Sequence, residues 1–459
     1  MIERVEQALL QFFLRLIPAR WRQQLLQRPG FEAVFRSILH LVSEKGIRLT
    51  VGIFTYALVV RHLGPVEYGR YSWVLNFITI FLPLVQYGLD ETVSRDLVNA
   101  KDDLARTRTV LWGALIVRSC NAIVGAILMV VVVRYVRADD PGLIMMVSWY
   151  GIAYLFRAFE AGDLLFQARL EVRRLTFSRN LAYVLSSALK VIGVWLGQAT
   201  GFFVFLSGLE YFFGRLFAWF AYRREWKTLS PSIDGSYIFS LYREAFPQFM
   251  TLALFVLNDR LAVLALARSS GDESVGLYNA ASGLLEIWNF LPMAIAASLF
   301  PPIVRAHGRQ PALYESRSQR FFDLMVWLGL ALALGISLLG ELAVSVLFGE
   351  KFAGTLPVLQ VLAWYQPLAF FHMARMKWFA LEGKLPALVL VAVATVGLNA
   401  YFLWQWTPAL GAKGAAWSVL MSSLCAPWIC ALFNESVKRH MQMFMKSLFL
   451  PWRLIRGIA

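Results

Sequence analysis

The chain is 459 residues long, 58% apolar and only 16% charged, with a mean hydropathy of +0.58. Soluble domains carry roughly 25% charged residues, and a globular chain this apolar could not cover itself with polar groups, so lipid must cover part of its surface. The formal charge of +15 is spread between apolar segments, with no compact basic domain or recognisable nucleic-acid motif. That pattern argues against a nucleic-acid partner and suits cytoplasmic loops beside anionic headgroups.

Residues 1–37 are too polar to span, with arginines between leucines and phenylalanines. They lack the uninterrupted apolar run and small-residue site of a cleavable leader. A basic amphipathic helix on the cytoplasmic face is expected there. Twelve stretches long enough to span then follow, near 39–60, 71–93, 109–133, 143–166, 177–198, 201–222, 244–267, 275–303, 321–348, 355–381, 386–407 and 412–434;. The expected organisation is an N-lobe over 38–222, a cytoplasmic linker over 223–243, a C-lobe over 244–434 and a basic cytoplasmic tail over 435–459. The expected fold class is an all-α polytopic membrane protein, with two six-helix lobes around a central cavity.

Loop charge tests this division. Connections after even-numbered spans hold about 17 basic residues and those after odd-numbered spans about 7. A miscounted span would scramble the alternation, so both termini are expected in the cytoplasm.

The chain also echoes itself. Pro65-Val66-Glu67-Tyr68-Gly69-Arg70-Tyr71 precedes the second span, and Asp272-Glu273-Ser274-Val275-Gly276-Leu277-Tyr278 the eighth, about 207 positions later. Two repeated bundles that rock about a central site would produce such an echo.

Chemistry-bearing motifs are scarce. Cys120, Cys425 and Cys430 sit in apolar segments without zinc-type spacing, and there is no HExxH, GxSxG or Walker A sequence;. No catalytic residue, metal or cofactor is expected, and the chain reads as a transporter rather than an enzyme.

At four places the sequence resembles the polysaccharide-exporter (O-antigen and exopolysaccharide flippase) branch of the multidrug/oligosaccharidyl-lipid/polysaccharide (MOP) flippase superfamily. These are Leu63-Gly64-Pro65 through Tyr71, Val275 through Ala281, Leu347 through Leu359, and Gly411-Ala412-Lys413-Gly414-Ala415-Ala416. The resemblance covers roughly 40–435. It implies two lobes around a central cavity in the bacterial inner membrane, and export of an oligosaccharide on undecaprenyl diphosphate. A proton or sodium ion would be the coupling partner and a polysaccharide polymerase a neighbour. The long basic start departs from the family's pattern.

A charge in the hydrocarbon region costs at least about 2.5 kcal/mol, so each one should face protein or water. Arg48, Arg118, Arg157, Lys190, Arg260 and Arg375 are the candidate substrate-binding cations, because a diphosphate needs donors and Arg can hold two oxygens at once. Arg118, Lys190 and Arg260 lie deepest with the fewest sequence-local partners, and are expected to form one cationic cavity. Arg157 and Glu160, three apart, are as well explained by a local pair, and Arg375 and Lys377 by interface anchoring. Glu44 is set to pair with Arg48 in the same way. Glu210, Glu286 and Asp259 are the candidate coupling-ion carboxylates; the bland alternative is a neutral acid in a helix interface. Trp149, Trp195, Trp288, Trp364 and Trp404 could stack on sugars, although lipid anchoring is the default. Two other readings compete: a cation-coupled drug antiporter of the same superfamily, and a membrane glycan polymerase or ligase. The short odd-numbered loops weigh against the latter.

Overall fold

The computed structural model describes residues 31–100, 103–169, 171–228 and 230–455; the expected amphipathic start lies mostly outside these. The described residues are almost all helical. Eight helical runs are long and apolar enough to cross a membrane, among them Thr50–Asn99 and Leu385–Phe433. Each of these two crosses twice, because glycine turns the chain inside it. In α1 (Phe31–Ile80) the turn is Gly64 at φ 72° and ψ 173°, a backbone region that side chains disfavour. The reversal brings Tyr68 back to Tyr56, whose hydroxyl accepts its hydrogen bond at 3.3 Å. Twelve residues of continuous helix would hold the two about 18 Å apart. The expected loop at 61–70 is therefore mostly helix.

The second span continues through α2 (Leu82–Gln86) and α3 (Leu89–Asn99), broken where Tyr87 and Gly88 adopt positive φ. The third is α4 (Leu104–Val136). The fourth joins α5 (Pro141–Leu155) to α6 (Ala161–Ala168) through a 3-10 turn at Phe156–Glu160. Next come α7 (Val172–Trp195) and α8 (Thr200–Thr228), completing the N-lobe.

The C-lobe opens with α9 (Gly235–Ser269), so the expected linker at 223–243 shrinks to the few residues after Thr228. Its second span is α10 (Gly271–Glu286) with α11 (Phe290–Ala306), and its third α12 (Pro311–Leu347). The fourth joins α13 (Thr355–Ala363) to α14 (Gln366–Leu381). In α15 (Leu385–Phe433) the chain turns at Gly411, φ 54°, and a Cβ on Gly414 would stand 2.4 Å from the Trp406 carbonyl oxygen. Twelve passes result. The expected basic tail is instead folded into α16 (Glu435–Leu448) and α17 (Leu450–Ile455).

Apolar packing follows the two lobes. Leu89, Val110, Leu164 and Tyr222 belong to a buried cluster of the N-lobe that also takes in Leu241 and Ala245 of α9, and Phe322, Phe370, Trp378 and Phe444 to one of the C-lobe. A third cluster, including Trp73, Phe77, Ala280 and Leu284, crosses between them.

Candidate functional site

The echoed motifs meet at the seam between the lobes. A Cβ on Gly69 would lie 1.8 Å from the carbonyl oxygen of Asp272, and one on Gly276 would lie 2.0 Å from that of Pro65. The contact is reciprocal: glycine against the first residue of the other motif, in both directions. Only residues without side chains allow backbones so close. A bond from Arg137 to the Asp272 carboxylate crosses the same seam, and the Arg137 guanidinium lies 5.1 Å from the Trp73 ring centre.

Toward the membrane interior the seam becomes polar. Arg260 Nη1 donates to Asn76 Oδ1 at 2.7 Å. Asn76 Nδ2 donates to Asn279 Oδ1 at 3.0 Å, and Tyr56 donates to the Asn279 carbonyl at 3.2 Å. Arg260 thus spans the lobes at the head of an amide chain. Asn76, Asn279, Arg137 and Asp272 were not among the candidate site residues, although Asp272 opens the second echo motif. Two asparagines in otherwise apolar spans were the available signal, since such amides bond between helices in lipid.

The first, fifth and sixth spans gather a second group around Tyr183. Arg48 lies 4.0 Å from Glu210 Oε1 and stacks 4.7 Å from the Tyr183 ring centre. Lys190 shares the electrostatic environment of Tyr183 with both charges. Seven residues along α7, Lys190 stands about 10 Å closer to the Gly64 end of the lobe. So Arg48, Lys190 and Glu210 come together, from the first, fifth and sixth spans. The Glu44 side chain lies outside the described residues.

Arg157 stays with its sequence neighbour: Glu160 is 3.6 Å away, and the guanidinium covers Tyr211 at 4.3 Å. Arg118 is elsewhere again, buried and bonded to the Asp90 carboxylate. It lines a polar cleft with Glu160, Asp163 and Arg179, in which Asp163 accepts from both Arg179 and Arg215. The expected single cavity of Arg118, Lys190 and Arg260 thus resolves into three separate settings. Cross-helix partners, invisible to local spacing, divide them.

The C-lobe faces the seam with carboxylates. Asp259 and Glu286 are both exposed and interact electrostatically with each other; neither has a basic group within 4.0 Å among the described residues. Arg375 is buried deeper in this lobe, bonded to the His372 ring, in a cavity of about 90 Å³ also lined by Asp259, Tyr365 and Ser423. The five tryptophans picked for sugar stacking are exposed, Trp195 and Trp404 most of all.

At the opposite end of the seam a Cβ on Gly88 would stand 2.9 Å from the Phe249 backbone nitrogen, and Tyr237 donates to Asp96 at 2.8 Å; the ion pair there is exposed. Arg95 Nη2 donates to Glu244 at 2.9 Å and Gln248 Nε2 to Glu91 at 2.8 Å, both exposed.

Residues 34–307, more than half of the chain, match the family described as "Polysaccharide biosynthesis protein". The chain belongs to that family. Among curated family relatives, an Escherichia coli K12 protein named "Putative O-antigen transporter" is 19% identical over 268 residues, covering 58% of this chain and 64% of that protein. The match thus spans less than two thirds of the relative. Among solved structures, an inward-facing multidrug resistance MATE family transporter of the MOP superfamily superposes with a TM-score of 0.70 at 15% identity, over 86% of this chain and 96% of that one. Lipid II flippase MurJ, in an inward closed conformation, superposes with a TM-score of 0.66 at 12% identity, over 91% and 93%. These likenesses show the fold: this polysaccharide biosynthesis protein is a multi-pass membrane protein built like MOP transporters.

Proposed function

We propose that the protein is a flippase that carries an undecaprenyl-diphosphate-linked oligosaccharide from the cytoplasmic to the periplasmic leaflet by alternating access, without a catalytic step. The reading rests on family membership and above all on one observation: two cations, Arg48 and Lys190, share the surroundings of Tyr183 with one carboxylate, Glu210, which lies 4.0 Å from Arg48 and is not within 4.0 Å of Lys190. A cation left unneutralised at membrane depth is costly unless a ligand uses it. The diphosphate would meet Arg48 first, then Lys190 and Arg260 toward the closed seam, while the lipid tail stays in the bilayer. Asp259 and Glu286 are the carboxylates we assign to a coupling proton or sodium ion. In this reading Arg118, Arg157 and Arg375, each already bonded to a neighbour, hold their lobes together.

Replacing Arg48 by Ala should abolish export of surface glycan with normal membrane insertion, and Arg48→Lys should restore only part, since Lys cannot make the bidentate contact. Normal export by both Arg48→Ala and Lys190→Gln overturns the site. The exposed carboxylates favour one second reading, a cation-coupled drug antiporter. Drug efflux that depends on Asp259 and persists without Arg48 would select it. We place the protein in the bacterial inner membrane with both termini cytoplasmic; labelled cysteines should react from the cytoplasm at 305–320 and from the periplasm at 268–274.

A further inference from the structure

The tail helix α16 has two distinct faces. One is locked to the C-lobe: His440 is fully buried among the rings of Phe322, Phe371 and Phe379. Gln319 donates to the Met443 carbonyl at 3.0 Å, and Trp327 Nε1 to that of Ser447 at 2.8 Å. The helix is therefore held rigidly, starting at its Asn434 cap directly where α15 ends at Phe433. It cannot drift from the edge of the membrane.

The other face carries Lys438, Gln442 and Lys446, all exposed. Spacings of four place them in one row, with the two lysines about 12 Å apart along the axis. Together with Met445 they form one side of a groove of about 470 Å³; Trp428 and Ala431 of α15 form the other. One wall supplies donors and the other an apolar surface. Among the described residues Lys438 has the exposed Glu435 as its one ion-pair partner, at 3.0 Å, and Lys446 has no carboxylate within 4.0 Å. Leu432 and Phe433, at the start of the helix, and Phe449 and Trp452, just past its end, are exposed apolar groups. They set the groove at headgroup depth, where lysines reach phosphates with their stems along apolar surface.

We propose that this groove binds one anionic phospholipid of the adjoining leaflet, with its phosphate on the Lys438–Gln442–Lys446 row and an acyl chain along Trp428. The row is cationic and the wall apolar, which matches an anionic diacyl lipid at both ends of the molecule. The site lies outside the space between the lobes and stands or falls independently of the transport reading.

Native mass spectrometry of the full chain in detergent, with phosphatidylglycerol or phosphatidylcholine added, tests it without any transport measurement. The wild type should retain phosphatidylglycerol about tenfold better. Lys438→Gln with Lys446→Gln should erase that preference, and Lys351→Gln, in a different loop, should keep it. Gln442→Glu changes one exposed side chain and places a repelling charge in the row, so it decides the matter even if the double variant folds poorly. Equal retention of the two lipids by the wild type, or an undiminished preference in Gln442→Glu, overturns the site. Retention of undecaprenyl diphosphate, rather than phosphatidylglycerol, that Lys438→Gln with Lys446→Gln removes would overturn the assignment to a resident lipid.

Discussion

The two ends of the seam both carry a close glycine contact but differ in the ion pairs over it. At the end where Pro65 and Asp272 meet, backbones touch through Gly69 and Gly276, and the Arg137–Asp272 bond is mostly shielded from solvent. At the other end Gly88 sits against the α9 backbone, a Cβ there standing 2.9 Å from the Phe249 nitrogen. The polar contacts around it, Arg95 to Glu244 and Gln248 to Glu91, are exposed, with both ions of the first pair more than half exposed. Backbone contact depends on shape and fails abruptly when the shape changes. Exposed ion pairs give little and can be exchanged for water. Both ends are fitted by a glycine; they differ in the ion pair over the fit, which is shielded at the first end and exposed at the second.

The largest break in this comparison should come from Gly69→Val. Its branched side chain collides with the Asp272 carbonyl, and overpacking of this kind costs about 1–3 kcal/mol. The joint should open, and a cysteine at buried Ser72 should label at least about tenfold faster from that face in a background without the native cysteines. Unchanged labelling would show that the glycine contact does not hold the joint shut. Next in size is Asp272→Ala, which strands Arg137; the same cysteine should label several-fold faster. Exchanging the two charges, Arg137→Asp with Asp272→Arg, should recover most of the loss. The smallest effect is expected of Arg95→Ala at the other end. A cysteine at Ala245, buried beside α3, should label almost as slowly as before, and added salt should change little. An Arg95 effect as large as that of Gly69→Val would erase the distinction between the two ends.

Much of this architecture is legible in the sequence because its causes are local. Span length, loop charge and the echo each depend on residues near one another, and the echo even marks the joint where its two copies meet. The Arg157–Glu160 pair was also visible, being one helical turn long. What escaped depends on contacts between helices. Arg118 finds Asp90 from 28 positions away, and Asp163 is shared by Arg179 and Arg215 from two other spans. No spacing rule reaches across a bundle. The tail is a third case: its basic residues read as solvated chain, while the buried face of Val437, His440, Met441 and Phe444 makes it a docked helix. A single run of charges hid a 3.6-residue period.

The turns at Gly64 and Gly411 spend almost no chain outside the helices, and the connections at Arg137–Asp140 and Ser270 are hardly longer. On that side the protein offers little to grip. A protease would find helix ends there and few peptide bonds free to bend into its active site. A partner that meets this side must therefore engage helix ends rather than a projecting loop.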